Sequence, residues 1–117
     1  MNGRGVNGLI EGLRARGFDV TRAQGIVSWP VEVATGQLAG ATVEVGVAEN
    51  ELTAWPGRAP HWIHARNDVS FTVGSPTQQS PRSGWTAYSR GDNTWGRQTD
   101  HVQALLAYLQ AVLEAAR

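Results

Sequence analysis

Trp55-Pro-Gly-Arg-Ala-Pro-His-Trp-Ile-His64 is the stretch on which the reading of this chain turns, with two Trp, two Pro and two His in ten residues. Pro56 and Pro60 each fix a backbone φ, and they push Trp55 and Ala59 toward extended conformations. Strand-like sequence runs up to this stretch, and almost all the loop-forming sequence follows it. A stiff, aromatic crossing of this kind suits the underside of a small sheet or a docking surface. Ala59-Pro60 is the candidate for a cis bond.

Working back toward the N-terminus, two runs alternate with period two. Val43, Val45 and Val47 point one way and Thr42, Glu44 and Gly46 the other. Before them, Val27, Trp29, Val31 and Val33 share a face, with Ser28 and Glu32 opposite. Pro30 has no N–H to give to a ladder, so this strand is expected at an edge or with a bulge. Thr35 to Gly40 reads as the hairpin connection between the two runs, and Asn50-Glu51 as a turn before the Trp-Pro step. Earlier still, Val6, Leu9, Ile10 and Leu13 recur at helical spacing. They predict a helix from about Arg4 to Arg16, ended by Gly17 and with arginines in its last turn.

Beyond His64, Val69 to Val73 reads as a short strand. The segment 74 to 84 holds no large apolar residue, and reads as one long polar loop. Trp85, Tyr88, Ser89 and Arg90 come next, then a Gly-Asp-Asn turn at 91 to 93, then Trp95. The last element is a helix from about Asp100 to Ala115. Asp100 and Gln103 have capping-box spacing, and Val102, Leu105, Leu106, Leu109, Val112 and Leu113 form its apolar stripe. The expected architecture is α+β: N-terminal helix, antiparallel β-meander, long irregular segment, and C-terminal helix packed on the sheet. Residues 1–117 read as a single domain.

Composition narrows the chemistry. All ten basic residues are Arg, balanced by ten acids, so there is neither a lysine nucleophile nor a basic cluster for nucleic acid. Cysteine is absent, which removes thiol catalysis, disulfides and thiolate metal sites. No run approaches the length of a membrane span and no signal-peptide pattern opens the chain, so the expected location is cytoplasmic, with no membrane partner.

His61 and His64 are three apart, and on a strand such residues point to opposite faces. A zinc site needs three or four converging ligands, and Asp68 and Asp92 are the remaining candidates. The reading preferred is no metal and no cofactor, with one His hydrogen-bonded inside and the other exposed. For nucleophilic chemistry, Ser75, Ser83 or Ser89 could pair with His64 as base, but nothing resembles a nucleophile elbow. His64 is therefore the one candidate catalytic residue. Trp55, Pro56, Trp62, Trp85, Tyr88, Ser89 and Arg90 form the candidate binding set, since Trp, Tyr and Arg are enriched at binding hot spots. Trp85 and Trp95 also suit core positions beneath the last helix.

The layout resembles the ubiquitin-conjugating-enzyme-like superfamily and its RWD-type relatives. Trp55-Pro56 matches the family's aromatic-Pro step, Ala59-Pro60 stands where its proline pair would be, and His64-Ala65-Arg66-Asn67 falls where a His-Pro-Asn motif would. Trp95 before the last helix matches the family's Trp. The chain looks similar to divergent bacterial members found in ubiquitin-like operons. What the resemblance implies is a non-catalytic adaptor or scaffold, because no Cys is present to carry a thioester. Its implied partners are a ubiquitin-like protein, an adenylating enzyme or an operon-encoded peptidase. The rival expectations are an enzyme using His64 in a cleft beside the 74 to 84 loop, hydrolase-like in type, and a general protein-interaction module.

Overall fold

The first helical stripe forms helix α1, Gly5–Ala15, which buries Leu9, Ile10 and Leu13. It ends as its Gly predicts. Gly17 sits at φ 89, and the N–H of Phe18 returns 3.2 Å to the carbonyl of Leu13, closing a Schellman motif. The computed structural model describes residues 4–69, 77–88, 100–114 and 116. The expected strand at Val69 to Val73 therefore lies outside the described residues apart from Val69, which closes a turn on Arg66.

Six strands follow: β1 (Thr21–Ala23), β2 (Ile26–Glu32), β3 (Thr42–Ala48), β4 (Ile63–Arg66), β5 (Thr77–Gln79) and β6 (Trp85–Tyr88). They form one antiparallel sheet in the spatial order β1-β2-β3-β4-β6-β5. Helix α2, His101–Leu113, comes last. The architecture is α+β, with two helices and a six-stranded antiparallel sheet among the described residues.

Alternation sets the two faces. The register places Val27 opposite Val47 and Trp29 opposite Val45, and Val45 opposite Ala65. These residues and Ile63 share one core with Leu9 and Leu13 of α1 and Leu105, Leu109 and Leu113 of α2. Both helices thus cover the same face. At their crossing, a side chain on Gly12 would come within 2.7 Å of Val102. The carboxamide of Gln110 also ties α2 to the end of β2. It donates to the carbonyl of Glu32 at 2.7 Å and accepts from the N–H of Ala34 at 2.9 Å.

Three departures from the sequence reading have physical reasons. The polar segment 74 to 84 is not one loop, because Thr77–Gln79 is strand β5, exposed at the sheet edge. An edge strand is held by backbone pairing and needs no apolar side chain to mark it. The same holds for β1, reached through the Gln24-Gly25 turn with both residues at positive φ, as a two-residue type I′ hairpin requires. The cis bond is at Trp55-Pro56, not Ala59-Pro60; the tertiary amide weakens the trans preference at both, so sequence alone does not choose. Pro30 lies in β2, which has neighbours on both sides, but β1 pairs only with Ile26 to Ser28. Beside Pro30 the outer flank of β2 is open among the described residues, so the missing N–H breaks no described ladder.

The Trp55 to His64 stretch proves to be a tied crossing. The Trp55 carbonyl accepts from the N–H of Gly5 at 3.1 Å, at the start of α1. The Tyr108 hydroxyl of α2 donates to the His61 carbonyl at 2.7 Å. The Glu51 carboxylate, on the 3₁₀ turn Glu49–Glu51, accepts from the N–H groups of His61 and Trp62 at 2.9 and 3.4 Å. No helix in the described residues is long and apolar enough to cross a membrane.

Candidate functional site

The face of the sheet turned away from the helices carries the polar side chains. Ser28, Gly46, His64, Ala87 and Gln78 stand opposite one another across β2, β3, β4, β6 and β5. Small neighbours on either side of His64 leave room for its ring. Gly46 is compulsory for another reason: a Cβ there would meet Ile26 Cγ2 at 2.6 Å and the Val27 carbonyl at 2.7 Å.

The connection from β5 to β6, residues 80–84, lies over this row as a strap. Its Ser80 hydroxyl sits 2.8 Å from His64 Nδ1 and accepts from the N–H of Arg82 at 3.2 Å. Arg82 Nη1 donates to Ser28 Oγ at 3.1 Å, and Ser28 donates to Glu44 Oε2 at 3.2 Å. The Arg82 guanidinium also stacks 4.3 Å from the centroid of Trp85, a cation–π contact. At the far end, the N–H of Ser83 reaches Gln24 Oε1 in the β1–β2 turn at 3.2 Å. Under the strap, Ser28 is 0 % exposed, His64 1 % and Ser80 6 %.

Burial has an electrostatic consequence. It pushes the His64 imidazole down from its ordinary 6.5 to about 4, so the ring is neutral at pH 7. Its Nε2 is buried and has no hydrogen-bond partner among the described residues. Such an orphan costs on the order of 1–3 kcal/mol, and either tautomer leaves Nε2 unmet.

Beside the strap opens a cleft of about 640 Å³, with His64 and Ser80 in its lining. Trp62, Glu51 and Asn50 stand on one side, and Gln78 and Gln79 of β5 on the other. A second cavity, of about 390 Å³, lies where the chain enters both helices, lined by Arg4, Trp55, Pro56, Gly57 and His101. There the Trp55 and His101 rings meet edge-on, 6.5 Å apart.

The predicted site residues are dispersed. Trp55 is buried in the core at 3 % exposure and Pro56 lines the second cavity. Trp62 lines the cleft, Trp85 lies buried under Arg82, and Tyr88 packs against the core opposite Ile63. Ser75, Ser89, Arg90, Asp92 and Trp95 lie outside the described residues, as does the 91 to 93 turn. His64 is placed beside the 74 to 84 segment, but its serine is Ser80, not Ser83, which is exposed and tied by its backbone to Gln24. The sequence offered no direct signal for Ser80, because the pairing depends on β5 and β6, which were not read as strands. His61 is exposed and His64 buried and hydrogen-bonded, the arrangement the i, i+3 spacing favoured. Among the described residues, no three His, Asp or Glu side chains converge as a metal site would require. Compared with protein-family models, curated proteins and solved structures, the chain matches none of them.

Proposed function

We propose that this protein is a non-catalytic, ubiquitin-conjugating-enzyme-like adaptor serving a bacterial ubiquitin-like modification pathway. The observation that carries the reading is the order of elements. An N-terminal helix precedes a meander whose first four strands are adjacent in chain order, a Trp-Pro step follows the third strand, and a terminal helix packs on the same face as the first. Without Cys, a domain of this layout works by contact rather than by thioester transfer. Its partners are a ubiquitin-like protein, an adenylating enzyme or a peptidase from the same operon. Calorimetric titration of the protein against each tests the reading. A saturable complex with at least one supports it, and an absence of heat at high micromolar concentration with all three overturns it.

One contact favours a second reading, hydrolase-like chemistry at His64. Ser80 lies at hydrogen-bond distance from an imidazole at the edge of a cleft. Against it, the ring is a weak base at neutral pH, and among the described residues no carboxylate orients its other nitrogen. If the reading holds, Ser80→Ala and His64→Ala each abolish turnover in an esterase and peptidase screen while the fold, read by circular dichroism, persists. Wild-type inactivity across the screen removes it.

A further inference from the structure

The cleft between Trp62 and strand β5 has a lining whose chemistry selects a class of ligand. Three carboxamides, Asn50, Gln78 and Gln79, are exposed around it, and each supplies both donors and an acceptor. His64 forms part of the lining with an unpartnered Nε2 and is buried and neutral. Among the described residues, neither Arg nor Lys lines the cleft. The one carboxylate of its described lining, Glu51, already accepts backbone N–H bonds from His61 and Trp62. The described lining thus offers no cation to a phosphate or carboxylate, and its acid is committed to the backbone. Trp62 is half-buried, braced edge-on by the His61 ring at 5.2 Å. An indole at the rim of a polar cleft offers an apolar platform beside carboxamides that suit hydroxyls. The volume is that of an ordinary small-molecule pocket.

We propose that the cleft between Trp62 and β5 is a binding site for a neutral saccharide, stacked on Trp62 and hydrogen-bonded by Asn50, Gln78 and Gln79. This site is separate from the protein partners proposed above, and neither reading depends on the other. The test is a titration of the full chain, followed by ¹H–¹⁵N spectra, with cellobiose, maltose, N,N′-diacetylchitobiose, mannose and galactose. Inorganic phosphate and citrate serve as anionic probes. The expected result is saturable shifts at Gln78, Gln79 and Trp62 with at least one saccharide, and none with the anions. Trp62→Ala should weaken binding about tenfold, or 1.4 kcal/mol, and Trp62→Phe should restore much of it. Gln78→Ala, at an exposed position that leaves the fold intact, should also weaken it. No shift with any saccharide at its solubility limit overturns the proposal. So does binding insensitive to both Trp62→Ala and Gln78→Ala, or a response to phosphate at these residues.

Discussion

His64 and Gly46 face each other across β3 and β4, and each tolerates little change for a different reason. For His64 the reason is charge. Its folded pKa is depressed to about 4 against an ordinary 6.5, so between these values the unfolded chain binds more protons than the folded one. Stability is therefore complete above about pH 6.5, falls as pH drops through that window, and levels off below about 4. The full loss is on the order of 3 kcal/mol, measurable as urea midpoints across pH. In a His64→Gln variant this component of the pH dependence should vanish. For Gly46 the reason is space, since the Ile26 side chain and Val27 backbone leave no room for a methyl group. Gly46→Ala should destabilise the fold by about 1–3 kcal/mol, read by urea denaturation with an unchanged m-value.

At the scale of elements, side chains hold what the sheet alone leaves loose. Asp100 caps α2 by accepting from the N–H of Gln103 at 3.1 Å, and it also pairs with Arg16 at the end of α1. These two bonds hold its carboxyl below the usual range, the backbone bond being the larger cause. Asp100→Ala should lower Tm, and Asp100→Asn, which keeps a capping oxygen, should lower it less. Gln110 makes two bonds to backbone near the β2–β3 connection, so Gln110→Ala should cost about 1–3 kcal/mol, assayed by thermal melting. Both helices and the two long strands were legible because apolar spacing reports buried faces, as at Leu105, Leu109 and Leu113 or Val27 and Trp29. Strands β1 and β5 were not, because Thr21 and Thr77 to Gln79 are exposed edge residues with no buried face to encode. The candidate site was half legible. His64 stood out by type, whereas Ser80 and Arg82 reach it only through the β5–β6 strap, a long-range result of pairing that local pattern does not carry.

At the scale of the molecule, the described residues place two helices on one face of the sheet and a strap over the Ser28–His64 row of the other. The residues that looked most chemical in the sequence lie along the seams. Trp55 links the start of α1 to the core, His61 receives a bond from α2 through its carbonyl, and His64 fastens the strap. Each of the three therefore has an architectural role in the fold. His64 holds the strap as a buried, neutral ring. An NMR titration of its imidazole nitrogens should find a neutral ring with no titration between pH 8 and about 5; protonation with a midpoint near the ordinary 6.5 in the folded protein would overturn that role.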